Sequence, residues 1–516
     1  MVARRGRPRS AMGDLHRELN HVAALFPNFT VVVSSIDTGT RRVNEARFVR
    51  DHCDAARWVP PAAETLSDPR FPPRVIISAF AVAGASASPR LVSRPRESVR
   101  VMGWTSSSAM RAIDASPAES FDEASCRALV GDDAFDPEAW SEAKKDASGA
   151  VRKEDLLRTF GWPDEIFDGR AGSRADARAV NAAAESAAAG TPHFYELDPE
   201  TTRRNRRALY VHSPRRESLD VSGADGRPIR FALWRPSESR SPRGPRAVYL
   251  LFHGGGWVFG DAAGLNDERL EEMAETLGVV VLVPEYRKAP ENPYPAPLDD
   301  CDAAAAWCEA NAVEHFRCAT DTLMMGGESA GGNLCAATLL RRKVAHDARA
   351  KAEAATRTDA ETAGTMTGAD SFPWSFVNLV YGIYDVDGTP SVAAFGERRL
   401  VETARDLAYF ADCYCPETTA RGNPDVSPLF GDWDGWMPRA AFTVGAEDAL
   451  VDDTLLLREK WRAAGCASTL DVWPEGPHGV GHFGVHAATD LGSACRRKIL
   501  DRFRAFLGEE DRRERA

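Results

Sequence analysis

Between residues 247 and 474, short apolar runs alternate with longer segments of helical period. The runs are AVYLLF (247–252), VVVLVP (279–284), TLMMG (322–326), FVNLVYG (376–382), AAFTVG (440–445) and TLDVWP (469–474). Each is almost continuously apolar, which predicts a strand buried on both faces. Segments 267–277, 299–313, 329–343, 452–464 and about 488–507 carry apolar positions at helical spacing instead. This alternation predicts an α/β fold: a mostly parallel, doubly wound sheet covered by helices on both sides. Segment 346–370 interrupts the rhythm. It is rich in Ala and Thr and nearly free of large apolar residues, which predicts an exposed insertion.

Upstream the pattern is weaker. FTVVVSSID and RVIISAFAVAG predict strands inside an N-terminal extension, residues 1–135, of unassigned fold. DPEAWSEAKKDASGAVRKEDLLRTFGW opens with Asp136-Pro137 and predicts a helical stretch, and SRADARAVNAAAESAAAG predicts a second helix ending at Gly190. TTRRNRRALYVHSPRRES reads as a basic, solvated connector. The expected organisation is therefore 1–135 extension, 136–215 helices and basic linker, and 216–510 α/β domain.

Composition narrows the class. Hydrophobic residues make up 43% and charged residues 27% of the 516, enough for a large core. The net charge of -12 lacks the basic excess a nucleic-acid partner requires, so none is expected. No apolar run approaches the ~20 residues of a membrane span, and no integral membrane segment is expected. The ten cysteines include no C-x-x-C pair. They read as buried thiols of a reducing compartment, with no metal site. The start, MVARRGRPRSAMGDLH, is basic and has no apolar signal core. A cytoplasmic location is the expectation, with organelle targeting as the alternative.

The chemistry concentrates at three places. TLMMGGESAGGNLCAATLL puts Gly327-Glu328-Ser329-Ala330-Gly331 between a strand and a helix, the pattern of a nucleophile elbow. The turn is so sharp that flanking side chains would clash, hence the glycines, and Ser329 is raised over a helix N-terminus that favours developing negative charge. Such a serine needs an acid and a base from the carboxyl ends of later strands. AAFTVGAEDALVDD offers Glu447, Asp448, Asp452 and Asp453; TLDVWPEGPHGVGHFGVH offers His478, His482 and His486. LLFHGGGWVFGD places Gly254, Gly255 and Gly256 directly behind a strand. With no side chains there, backbone N–H groups can approach a substrate oxygen.

Taken together, residues from about 216 to 508 resemble the hormone-sensitive-lipase-like esterases of the α/β-hydrolase fold. The matching segments are His253-Gly254-Gly255-Gly256, VPEYRKAPENPYPAPLDD (283–300), Gly327 to Asn333, NPDVSPL (423–429), Asp448-Ala449-Leu450 and Pro477-His478-Gly479. The resemblance implies Ser329 as nucleophile, Asp448 as triad acid and His478 as general base. It also implies Gly255, Gly256 and Ala330 as oxyanion donors, with His253 as a buttress of the loop. Glu447 is the alternative acid and His482 the alternative base, because His482 and not His478 is followed directly by Phe (Phe483). His486 is expected at the surface. Tyr286, Arg287, Glu291 and Asp299 are expected to hold the loop after the second strand. The resemblance further implies a helical cap, built from 136–215 and an insert at 388–427. Trp257 and Phe259 either line the entrance to the acyl pocket or simply pack. The implied function is a serine carboxylesterase acting on small-molecule esters of short to medium chain, with no cofactor. Amide deacetylase or lipase chemistry, or a non-catalytic small-molecule receptor on the same fold, are the alternatives. Gly256→Ala is expected to cripple turnover with the fold nearly intact.

Overall fold

The computed structural model describes residues 107–515, apart from 132–139, 141–142, 209, 211, 224–225, 265, 357–371 and 434–436, and only four strands before residue 107. The chain divides into two compact units, one of residues 1–92 with 187–197 and one of residues 93–186 with 198–516. The smaller unit holds the antiparallel strands β1 (Val31–Asp37), β2 (Arg42–Val49), β3 (Arg57–Trp58) and β4 (Ile76–Ser78), in the order β3-β2-β1-β4. The basic start of the chain lies outside the described residues.

In the larger unit β5 (Ser120–Phe121) and β6 (Val151–Arg152) pair as a small ribbon. The main sheet comprises β7 (Glu217–Ser222), β8 (Pro228–Trp234), β9 (Val248–Phe252), β10 (Val280–Pro284), β11 (Leu323–Glu328), β12 (Trp374–Val380), β13 (Arg439–Gly445) and β14 (Ser468–Trp473). Their order is β14-β13-β12-β11-β9-β10-β8-β7. All neighbours from β10 through β9 to β14 are parallel. The six apolar runs supply these six strands, and β9, β10 and most of β11 to β13 are buried along their length, as a sheet covered on both faces requires. On one face Phe503 of the C-terminal helix (Asp490–Arg515) packs edge-on to Tyr249 and Phe376, ring centroids 4.9 and 5.0 Å away.

Four segments differ from expectation, each for a local reason. β7 and β8 form an antiparallel hairpin at the sheet edge; the solvated ESLDVS of β7 carries no apolar run to mark it. Residues 143–150 form a loop instead of a helix. Asp146 Oδ1 accepts from the N–H groups of Ser148 and Ala150 at 2.8 and 3.1 Å, so the side chain replaces the helical acceptor. The basic connector contains the helix Pro199–Arg207, started by Asp198, whose carboxylate accepts from Thr201 N at 2.8 Å, and by Pro199 at the first position. Finally, the elbow helix runs from Ala330 to Thr356 because HDARAKAEAAT is built of strong helix formers; the rest of the expected insertion lies outside the described residues.

The helix Ser107–Ala115 belongs to the unit that holds the sheet, so the boundary expected at residue 135 falls inside that unit. Met110 and Ile113 are buried, Ser107 N donates to Asp452 Oδ1 at 3.1 Å, and Arg111 donates to the Ala446 carbonyl at 3.1 Å. Among the described residues no helix is long and apolar enough to cross a membrane. Cys301, Cys308 and Cys335 are buried free thiols.

Candidate active site

The site lies at the carboxyl ends of β9, β11, β13 and β14, where loops of a parallel sheet converge. β11 ends at Glu328, and Ser329 takes φ +56° before the helix begins at Ala330. A side chain at Gly327 would run into the Gly331 carbonyl, and one at Gly331 into the Phe252 carbonyl. The two glycines are thus required by backbone crowding on either side of the turn. Glu328 points away from the serine into a 2.6 Å ion pair with Arg269. Asn333 ties the helix to the carbonyls of Ile383 and Val426 at 3.0 and 2.8 Å.

Three side chains from separate loops form one hydrogen-bonded chain. His478 Nε2 lies 2.9 Å from Ser329 Oγ, and its Nδ1 lies 2.9 Å from Asp448 Oδ2. Asp448 is fully buried and accepts from Leu450 N through its other oxygen at 2.8 Å. Burial pushes the His478 imidazole down, but the carboxylates of Asp448 and Glu402 outweigh it and raise the group to about 9.

The rival residues sit elsewhere. Glu447 pairs with Arg398. Asp452 accepts from Ser107 N, and Asp453 accepts from Tyr384 N and Asp385 N at 2.6 and 2.9 Å and from Thr389 Oγ1. His482 Nδ1 lies 2.7 Å from the Tyr381 hydroxyl and 3.4 Å from Glu328, and burial with Arg269 and Arg496 nearby holds the imidazole far below its usual range. His486 is a correction: it is only 1% exposed, with Nε2 2.9 Å from Asn181 Oδ1. Thr489 Oγ1, 3.0 Å from Nδ1, and Asn181 together give both ring nitrogens a partner, which lets the imidazole stay inside.

The glycine loop after β9 is shaped by backbone contacts. Gly255 and Gly256 adopt φ +122° and +60°. A side chain at Gly255 would collide with the Phe259 carbonyl, and one at Gly256 would come within 2.5 Å of the Phe410 ring on the helix Ala404–Tyr414. A methyl at Gly256 would press on the helix Ala404–Tyr414, so Gly256→Ala is now expected to disturb the fold as well as turnover. The N–H groups of Gly255, Gly256 and Ala330 donate no hydrogen bond among the described residues. His253 stacks on Tyr286 with centroids 4.3 Å apart, and Tyr286 Oη donates to the His253 carbonyl at 2.9 Å. Burial, with Lys288 adding to it, lowers the His253 imidazole to about 4, so it stays neutral. Trp257 stacks on Tyr414 at 4.3 Å and Phe259 meets Phe410 edge-on at 5.9 Å, so both are packed against the helix Ala404–Tyr414. Arg203 bonds the carbonyls of Val258 and Ala289 and the Glu291 carboxylate, while Arg287 pairs with Asp300 and Asp299 with Arg341. The basic segment thus grips the glycine loop, which its charge alone did not reveal.

One buried acid escaped the sequence reading. Glu402, just before the helix Ala404–Tyr414, is 5% exposed with Oε1 3.4 Å from His478 Nδ1. Oxygen or nitrogen atoms of Glu402, Asp448 and His478 all lie within 4.8 Å of one another. Because Nδ1 is engaged by Asp448, the arrangement is suited to holding a proton. No motif or spacing marks this glutamate.

Comparison with known proteins gives the family. A family model described as the alpha/beta hydrolase fold matches residues 249–482. The chain is 30% identical over 273 residues to Carboxylesterase NlhH of Mycobacterium tuberculosis, covering 49% of this chain and 74% of that protein. It is 31% identical over 250 residues to Carboxylic ester hydrolase LipN of the same organism, covering 47% of this chain and 60% of that protein. Over 112 residues it is 35% identical to human hormone-sensitive lipase, a match covering 21% of this chain and 10% of the lipase. A hyperthermophilic esterase from the archaeon Pyrobaculum calidifontis shares the fold with a TM-score of 0.52 at 24% identity, over 63% of this chain and 96% of that one. The chain belongs to the hormone-sensitive-lipase-like family of esterases on the α/β-hydrolase fold.

Proposed function

We propose that this protein is a serine carboxylesterase in which Ser329, His478 and Asp448 act as nucleophile, general base and orienting acid. The observation that carries the reading is the unbroken chain Ser329 Oγ, His478 Nε2, His478 Nδ1, Asp448 Oδ2, with 2.9 Å at each hydrogen bond. His478 takes the hydroxyl proton as Ser329 Oγ bonds to the ester carbonyl carbon; Asp448 holds the imidazole in register and stabilises its charged form. The carbonyl oxygen becomes an oxyanion and is met by the N–H groups of Gly255, Gly256 and Ala330, each donor lowering the barrier by ~3 kcal/mol. His478 then returns the proton to the departing alkoxide. Water attacks the acyl-enzyme with His478 again as base, releasing the acid and restoring Ser329.

Acyl groups of short to medium chain fit best. Phe410, Phe259, Trp257 and Tyr414 form one packed layer over the glycine loop, leaving little room beside Gly256. A fluorophosphonate probe followed by peptide mapping tests the reading, with labelling at Ser329 expected and abolished in Ser329→Ala. Labelling elsewhere, or none in folded protein, overturns it. A p-nitrophenyl ester series then reads the chain length, expected to fall off beyond medium chains.

A further inference from the structure

The cap carries a buried carboxyl with no assigned task. Glu402 lies two residues before the helix Ala404–Tyr414, whose start is capped by Thr403. Its Oε1 finds no hydrogen-bond partner among the described residues, although it is buried. Burying a carboxylate oxygen without a hydrogen bond is costly, so an apolar residue would serve packing better there. Oε1 points to the Nδ1 edge of His478, the edge that Asp448 also occupies. The charged or titratable groups that face Glu402 are His478, Asp448 and Asp406. Asp406 is occupied, accepting from Thr403 N and Thr403 Oγ1 at 2.9 Å each. His478 is thus the one cation-forming group that Glu402 faces among the described residues.

We propose that Glu402 is a positioning residue of the relay, a second acid delivered by the cap that shares the Nδ1 edge of His478 with Asp448 and steadies the imidazolium as Ser329 attacks. The inference rests on the triad reading above. Burial raises the Glu402 carboxyl to about 7; a charged His478 opposes that shift, and Asp448 and Asp406 add to it. Glu402 therefore gains its charge most readily when the imidazole is charged, which is the moment the nucleophile forms. Even in a water-like dielectric, a full charge 3.4 Å away shifts a neighbour's titration by about one pH unit.

The test compares pH profiles of kcat/KM for wild type, Glu402→Gln and Glu402→Leu, with fluorophosphonate labelling of Ser329 run on each. Loss of the second acid weakens the imidazolium, so the acid limb is expected to move to lower pH by about one unit in both variants. Leu fills the site without polar atoms and covers the case in which Gln misfolds. In a cycle with Asp448→Asn, removing Glu402 is expected to cost roughly tenfold more than it does in wild type, since the two acids substitute for each other at one nitrogen. Glu402→Asp is expected to restore the limb in part. An unmoved acid limb with an additive cycle, in protein that still labels at Ser329, overturns the proposal and leaves the triad reading standing. Absence of Ser329 labelling in wild type removes the triad reading and this proposal with it.

Discussion

The loop that carries His478 is held by a clamp whose contribution can be measured. Glu475, three residues before His478, adopts φ +59°, a left-handed conformation that costs a non-glycine residue about 1 kcal/mol or more. What keeps it there comes from the helix Arg174–Ala188. Arg174 Nη2 meets Glu475 Oε1 at 2.6 Å and, with Nη1, grips Asp114 at 2.8 and 2.9 Å. Arg178 adds a 3.1 Å contact to the same Glu475 oxygen, and Asn181 Nδ2 donates to the Glu475 carbonyl at 2.8 Å. Arg174→Met keeps an apolar stem over the Trp162 ring but removes the fork. The Asp114 half is partly exposed and contributes at most ~1 kcal/mol. The Glu475 carboxylate is only 8% exposed, and stripping one partner from a buried pair costs about 3–5 kcal/mol, reduced here because Arg178 remains and Arg174 is 31% exposed. The expected net loss is about 2–3 kcal/mol, or about 3 °C in melting temperature for a unit of this size. A displaced His478 loop also weakens catalysis: kcat/KM should drop by about tenfold, within the ~10²-fold that a 1 Å misplacement can cause. Thermal melts and p-nitrophenyl acetate kinetics on Arg174→Met, Glu475→Gln and the double variant would check this. Additive single effects on Tm, or a kcat/KM that does not move, would refute the idea that this clamp positions the base.

Three further outcomes are expected. Gly256→Ala should reduce kcat by about 10²–10³-fold through the displaced donor. It should also lower the Tm, because its methyl meets Phe410; Gly256→Ala/Phe410→Ala should recover part of the melting temperature. Glu402 sets a pH dependence of stability. Its folded value of about 7 lies above the unfolded 4.5, so its contribution is fully present below pH 4.5 and is lost as pH rises through 7. Denaturant titrations across that window should show Glu402→Gln gaining on wild type by roughly 3 kcal/mol. A chain beginning at residue 136 should aggregate or melt early, since Met110, Ile113 and Phe121 are buried in the unit that holds the sheet; full esterase activity in that shortened chain would contradict this.

The parts of the site that could be read directly are those whose constraint is local. Gly327 and Gly255 are dictated by backbone four residues on, the carbonyls of Gly331 and Phe259, and such a demand acts within a few residues of the glycine itself. The six central strands were legible because burial on both faces leaves an apolar run with no polar interruption. The edge strand β7 was not, because its exposed residues carry no such record. The basic segment around Arg203 announced charge, yet its task depends on carbonyls of Val258 and Ala289 that no spacing connects to it.

What the amino-acid sequence determined by itself was the scaffold and the short list of candidates: an elbow serine, a glycine loop, a cluster of acids after one strand and of histidines after the next. The resemblance favoured Asp448 and His478 within that list, and the tertiary structure supplies the physical reason. His478 rather than His482 faces Ser329 because the loop after β14 turns one imidazole toward the elbow and the other toward Tyr381. Asp448 rather than Glu447 faces the imidazole because its neighbour turns outward to Arg398. Glu402 was invisible for the same physical reason. Hydrogen bonds and ion pairs act across 3 Å of space between segments that sequence distance keeps apart, and only packing of the cap against the sheet brings that carboxyl to the histidine.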